Sequence, residues 1–213
     1  MLSTTEAIVL ALQPLSDRAH LLHAYTRTGG RVNCKVYGLG RRNAAGLYTP
    51  FSLIQLTGDL PSLQGGGGGR LSTVRTAQLL YVPTTTTTDM RKQAVAMFLS
   101  EVLYLTLRHP MPDEPMFDFL AAAVRELDAT DQPQNFHLSF LVAFAAQLGF
   151  AMSESHLSTL NSKLSIQHQQ IDRTLHSRAQ RQEALRTLCA YFAEHVDSWQ
   201  PPKSLDILME VFD

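Results

Sequence analysis

The chain has 213 residues, 45% hydrophobic and 17% charged, with a formal net charge of −1, the profile of a soluble globular protein of one large domain or two small ones sharing a core. Met1 to Gln13 carry no positive charge and place Glu6 ahead of the apolar run, so no secretory signal is read there. The longest apolar stretch, Phe140 to Met152, is interrupted by Gln147 and Gly149 and is too short to span a bilayer, so a cytoplasmic location with no membrane partner is expected.

Two cysteines, Cys34 and Cys189, fit neither a disulfide scaffold nor a Cys-x-x-Cys zinc site, and the eight histidines show no HExxH or HxxxH spacing. Both thiols are expected to be reduced and buried, and neither a metal nor a cofactor is expected. The near-zero charge conceals a division. Residues 1–82 hold eight Lys/Arg against three acids, a balance of +5, whereas residues 83–213 hold ten against sixteen, a balance of −6. Such asymmetry is an interaction signal, since a polyanion is drawn to one end only.

In chain order, Glu6 to Gln13 is rich in β-branched and apolar residues and predicts a strand. His20 to Thr26 and Arg31 to Gly38 flank a Thr28-Gly29-Gly30 turn, a hairpin signal because glycine reaches positive φ without steric cost. In the second of these strands Val32, Cys34 and Val36 point one way, and Arg31, Asn33, Lys35 and Tyr37 the other. Phe51 to Thr57 and Leu71 to Tyr81 are two further strands, giving five short strands and a small antiparallel barrel. Gly65 to Gly69, five glycines in a row, is read as a mobile loop.

Pro83 and the run Thr84 to Thr88 mark a boundary, so residues 1–82 and 83–213 are read as two domains. Beyond it the period turns helical: Asp89 caps a helix from Met90 to His109, and a second runs from Pro115 to about Asp128. Asn135 to Leu148, with Phe136, Phe140, Phe144 and Leu148 at successive i+4 positions and apolar residues on its other faces, belongs in the middle of a bundle and stops at Gly149. Residues 151–176 are polar and read as a loose helical excursion or an exposed connection. Ser177 to Val196 is an amphipathic helix, and Ser204 caps a last one from Leu205 to Phe212. The fold class is therefore α+β, a five-stranded barrel followed by an all-α bundle of five or six helices.

Catalytic signatures are missing. There is no phosphate-loop GxxxxGK[ST], no GxSxG, no HExxH and no zinc-deaminase pattern. Asp113 and Glu114 sit in a Pro-rich connection and read as a solvated turn, and His137 reads as a core or boundary histidine with no nucleophile beside it. No enzyme is expected. What remains is the cationic barrel. Arg27 and Arg31 bracket the hairpin turn, Lys35 continues the face of Arg31, Arg41 and Arg42 follow in a Gly-rich segment, Arg18 precedes the hairpin, and Tyr25 and Tyr37 lie close by. Flexible cations displace counterions along phosphates and aromatic faces stack unpaired bases, so these eight residues are the candidate nucleic-acid site, reading backbone and shape rather than base identity.

The opening Thr4-Thr5-Glu6-Ala7-Ile8-Val9-Leu10, then Ser16-Asp17, Tyr25-Thr26, Gly29-Gly30 and Gly38-Leu39-Gly40-Arg41-Arg42, resembles the start of the RecO family. Tyr48 to Leu53 is similar to that family's L-x-P-F strand entry, Asn135 to Gly149 to the central helix of its Bacteroidetes form, and Pro202 to Leu208 to its K-S-L-x-x-L ending. The resemblance implies an N-terminal OB-fold and a helical C-terminal domain. It implies a cytoplasmic, nucleoid-associated mediator that binds single- and double-stranded DNA, anneals strands and helps load the RecA recombinase. The implied partners are RecR and the acidic, Phe-ended tail of single-strand DNA-binding protein. Many members carry a four-cysteine zinc module in the helical domain; with Cys189 alone there, this chain cannot form one. Docking an acidic tail on an acidic half requires local cations, such as Arg91, Lys92 or Arg108, to override the net charge. The competing expectation is a non-catalytic adaptor whose basic barrel binds an acidic protein; it requires saturable peptide binding with negligible DNA affinity at moderate salt.

Overall fold

The computed structural model describes residues 2–39, 45–60, 71–156, 166–167, 170–171 and 177–212. The strands are β1 (Ser3–Ser16), β2 (Ala19–Thr26), β3 (Gly30–Tyr37), β4 (Leu53–Asp59) and β5 (Ser72–Leu79), followed by helices α1 (Met90–Thr106), α2 (Glu114–Ala129) and α3 (Phe136–Gln147). A ribbon of two short strands, β6 (Ile166–Gln167) and β7 (Gln170–Ile171), precedes α4 (Arg178–His195) and α5 (Leu205–Val211). The expected loose helix or open connection at 151–176 thus contains an antiparallel β pair, with Ile166 registered opposite Ile171. The remainder of that stretch from 157 on, and the glycine run Gly65 to Gly69, lie outside the described residues.

β1 to β5 close into a barrel in the order β1-β2-β3-β5-β4, the arrangement of an OB-fold. The sequence suggested a fully antiparallel barrel, and the structure corrects this: β3 pairs with β5 in parallel, Cys34 opposite Ser72 and Lys35 opposite Thr73. The reason is topological. Around a ring of five strands direction cannot alternate at every step, so one neighbouring pair must run the same way. The other four ladders are antiparallel.

Inside the barrel, Ala7, Val9, Leu22, Ala24, Val32, Cys34, Val36, Tyr48, Ile54, Leu56 and Val74 form one buried cluster. The alternation read from the sequence holds on β3, where Val32, Cys34 and Val36 are buried while Asn33 and Tyr37 are exposed. Burial pushes the Cys34 thiol up to about 12 and that of Cys189 up to about 11, so both free cysteines stay protonated. Buried Phe51 adopts φ 64°, unusual for a bulky residue, and its amide donates to the Val9 carbonyl while Val9 donates to Ser52, locking the entry to β4 against β1.

The chain divides into two compact units. The first comprises Met1–Thr84 with Leu99–Asp128, and the second Thr85–Phe98 with Ala129–Asp213. The boundary at 82/83 read from the sequence marks the change from strands to helices, whereas α1 contributes its halves to different units. In the first unit, buried Asp128 accepts from Tyr81 Oη at 2.8 Å and from the amide and hydroxyl of Thr84 at 2.9 Å each, pinning the exit from the barrel to the end of α2. Asp113 caps α2 by accepting from the Met116 amide at 2.9 Å, and Asp89 caps α1 through the Arg91 amide at 2.9 Å.

In the second unit, Phe144 of α3 stacks on Phe192 of α4 with centroids 6.0 Å apart, and Phe150 and Trp199 close on the same ring at 5.4 and 5.3 Å. Gly149 takes φ 89° and ends α3, and Ser177 with Gln180 forms a capping box on α4. Ser204 occupies the N-cap position of α5, but its buried side chain makes no capping bond. His137 lies in this core between Phe98 and Phe212, at 6.1 and 5.9 Å.

Two outcomes test this packing. Gly30 has φ 59°, and a Cβ there would stand 2.1 Å from the Met111 carbonyl oxygen, a backbone atom that cannot step aside. Gly30→Ala is therefore expected to cost about 2 kcal/mol or more, measured by urea unfolding. Burial, then the charge of Arg181, pushes His137 down to about 3 from its ordinary 6.5. Above pH 6.5 it is neutral in both states; below that the unfolded chain takes up a proton the folded chain refuses. Stability should then fall by about 1.4 kcal/mol per pH unit on acidification toward pH 3. Unfolding curves at pH 7, 6 and 5 read this slope, which His137→Leu should reduce.

Candidate nucleic-acid interface

The β2–β3 hairpin sets which side chains share the barrel's outer face. Tyr25 is registered opposite Arg31, His23 opposite Asn33, Leu21 opposite Lys35 and Ala19 opposite Tyr37. Directly opposed residues point the same way, and the intervening pairs, such as Leu22 with Cys34, fill the core. The sequence led us to expect one continuous cationic strip along this face. The structure divides it into a covered half near the hairpin turn and an open half at the other end.

The covered half lies beneath the end of α1, the segment after it and the start of α2. Arg31 donates from Nη1 to the carbonyl oxygens of Tyr104 (3.1 Å) and Leu107 (3.3 Å), with its guanidinium 4.2 Å above the Tyr104 ring. Those carbonyls lie at the C-terminal end of α1, where a cation meets the negative end of the helix dipole. Burial, rather than any acid, is the leading influence on Arg31 and holds its pKa below the ordinary value. The Arg31 amide donates to the His109 carbonyl at 3.1 Å, so the post-α1 segment is hydrogen-bonded to the edge of the hairpin.

Arg27 is held differently. It donates to Glu6 and Asp118 at 2.8 Å each and to Glu114 at 3.3 Å, and lies 4.5 Å over the Phe117 ring. Asp118 and then Glu6 raise its pKa above the ordinary value. One cation facing three carboxylates is not an anion site. Tyr25 is buried, which together with Asp113 pushes its phenol up to about 12. His23 is also buried, donates from Nδ1 to Asn33 Oδ1 at 2.6 Å and meets Tyr104 edge-on at 5.0 Å, and desolvation holds it below its ordinary pKa. Of the sequence-derived site, Arg27 and Arg31 thus bond to the helical segment 104–118, and Tyr25, registered opposite Arg31, is buried.

The open half keeps the others. Arg18 is exposed in the β1–β2 turn, Lys35 and Leu21 are half-buried, and Tyr37 is 56% exposed. Arg41 and Arg42 lie outside the described residues. Arg75, which the sequence reading counted but did not single out, is exposed on β5. Lys35 sits beside Thr73 in the parallel ladder, and Arg75 follows two residues on along β5, the strand that borders β3. The signal was present in the strand Leu71 to Tyr81: Val74 points inward, so Thr73 and Arg75 point outward. The acids nearest in register are Asp17, in the same turn as Arg18, and Asp59, paired with Thr73.

The comparisons with known proteins agree with one another. Residues 87–165 match the family model described as "Recombination protein O C terminal". The chain is 27% identical over 239 residues to the DNA repair protein RecO of Flavobacterium johnsoniae, covering 98% of both chains. It is also 27% identical over 245 residues to that of Phocaeicola vulgatus, covering 100% of both. A third relative, the DNA repair protein RecO of Flavobacterium psychrophilum, is 30% identical over 151 residues, which is 58% of this chain and 63% of that protein. With the five-stranded barrel at the N-terminus and the helical module after it, the chain is similar over its whole length to members of the RecO family.

Proposed function

We propose that this chain is a non-catalytic DNA repair and recombination mediator, binding single- and double-stranded DNA on the open half of the β2–β3 face. In this reading it anneals complementary strands and assists loading of RecA onto DNA coated by single-strand DNA-binding protein, in concert with RecR. The observation that carries the proposal is exposed Tyr37 on an OB-fold's outer sheet, with Lys35 two residues before it on β3, Arg18 next to its ladder partner Ala19, and Arg75 exposed on the bordering β5. In OB-folds the β2–β3 face and the adjoining loops are the surface that takes oligonucleotides. Arg41 and Arg42 of the sequence-derived site belong to this proposal by their charge and their place in the sequence after Tyr37. The strip is short and reads backbone, so affinity should come from counterion release.

The tail of the coating protein is assigned to the second unit. Of the cations first considered, Arg91 pairs with Asp89 at 3.1 Å and Lys92 is buried against Thr85. A small cleft lined by Arg178, Arg181, Leu185, Leu208, Met209 and Phe212 brings arginines and apolar side chains together. That combination suits a peptide ending in acids and an aromatic ring.

Fluorescence-anisotropy titration of a labelled single-stranded oligonucleotide at several salt concentrations tests the reading. The affinity should fall steeply with salt, and Lys35→Glu with Arg75→Glu should weaken binding roughly tenfold or more and flatten the salt slope by about 1.4. Binding unchanged in that double variant would remove the proposed strip, and negligible DNA affinity with saturable binding of acidic peptide would favour the adaptor. Arg27→Ala should behave otherwise. DNA affinity and salt slope should hold, while Tm falls by roughly 2–4 °C for a loss of about 1 kcal/mol.

A further inference from the structure

Among the six tyrosines of the chain, five have a visible structural task. Tyr25 and Tyr48 are buried in or on the barrel, Tyr81 donates to Asp128, Tyr104 receives Arg31, and Tyr191 donates to the Phe150 carbonyl. Tyr37 has none: it is 56% exposed at the end of β3, and no described residue contributes a hydrogen bond, ring or cation contact to it. Its partner across the ladder is Ala19, a small buried residue that cannot cover a ring, and the chain leaves β3 through Gly38 at φ 77°, where an added Cβ would meet no described atom within 4 Å beyond its chain neighbours. Half-buried Leu21, opposite Lys35, adds an apolar floor one step along the same face.

An aromatic ring left bare beside Lys35 on β3 and Arg18 next to its ladder partner, with Arg75 exposed on the bordering strand, is suited to a flat apolar group carried on an anionic backbone. Resting on the DNA-binding reading above, we infer that Tyr37 is a stacking platform for one unpaired base, making the open half of this face selective for single-stranded over duplex DNA. The duplex keeps its base faces stacked on each other and offers this ring only phosphates and groove edges, whereas an unpaired base can turn its face onto the ring. The open half spans only the pairs Leu21–Lys35 and Ala19–Tyr37, roughly 7 Å along the strand, which limits the platform to about one base. Lys35 lies two residues before the ring on β3, Arg18 adjoins its ladder partner Ala19, and Arg75 is exposed on the bordering β5, so phosphates flanking the stacked base find cations on the neighbouring strands.

The test uses the full chain with a single-stranded oligonucleotide carrying 2-aminopurine, its matched duplex, and the variants Tyr37→Ala, Tyr37→Phe and Lys35→Glu/Arg75→Glu. Expected are quenching of the single-stranded probe by the native chain and a roughly tenfold or greater loss of single-strand affinity in Tyr37→Ala. Duplex affinity should change by less than about twofold, and Tyr37→Phe should restore both quenching and affinity, since it keeps the ring and loses only the hydroxyl. If Tyr37→Ala weakens single strand and duplex equally, or neither, while the charge-reversal pair still abolishes binding, the stacking role is overturned and the DNA-binding reading survives. If the native chain binds neither probe, both fall together.

Discussion

Two arginines of the β2–β3 hairpin hold the helical segment 99–128 against the barrel, and this attachment decides where a ligand can approach. Arg31 works by burial, its planar fork reaching two carbonyls at the end of α1 while its face covers Tyr104. Arg27 works by charge, bridging Glu6 on β1 to Glu114 and Asp118 on α2. A lysine could reproduce neither, lacking both the paired donors and the stacking plane. Because these contacts join β1, the hairpin, α1 and α2, the first compact unit is a barrel with a helical cover rather than a barrel alone.

The cover explains the electrostatic economy of the domain. The N-terminal stretch carries a surplus of five positive charges, but two of its cations face inward or toward acids, and among the described residues Arg18 and Lys35 lie toward the other end of the hairpin and Arg75 on β5. A cation near the negative end of a helix and a cation in a nest of carboxylates are both satisfied before any ligand arrives. Arg18, Lys35 and Arg75 have no such commitment among the described residues. The division between structural and available positive charge is thus a division between two ends of one hairpin.

Much of this was legible in the sequence. Period-two alternation located β3 and its inward Val32, Cys34 and Val36, Asp89 and Gly149 marked helix ends, and the phenylalanines of α3 announced a buried helix. What alternation cannot do is separate Arg31 from Lys35, which occupy the same outer face; they differ only in whether a helix 73 residues later covers them. Likewise Asp113 and Glu114 read as a solvated turn, yet one caps α2 and the other pairs with a guanidinium 87 positions earlier in the chain. The burial of Arg31 and the pairing of Glu114 are long-range contacts, for which a local pattern carries no information, whereas the Asp113 cap is a local bond to the amide three residues on. Arg75 was missed for the opposite reason: its strand was recognised, but its neighbourhood with Lys35 depends on a parallel pairing that short-range turn signals do not announce.

That parallel pairing has a consequence of its own. Antiparallel neighbours zip from a tight turn outward, but β3 and β5 are joined through the whole of β4 and the excursions on either side of it, so their union must wait for the remainder of the barrel. It then rests on two registered pairs, where β2 and β3 share eight. The last seam to close in such a ring is the first to breathe, on the timescale that amide exchange resolves. Here that seam runs beside Lys35, giving the cationic end of the barrel a built-in pliancy that its helix-bound end lacks.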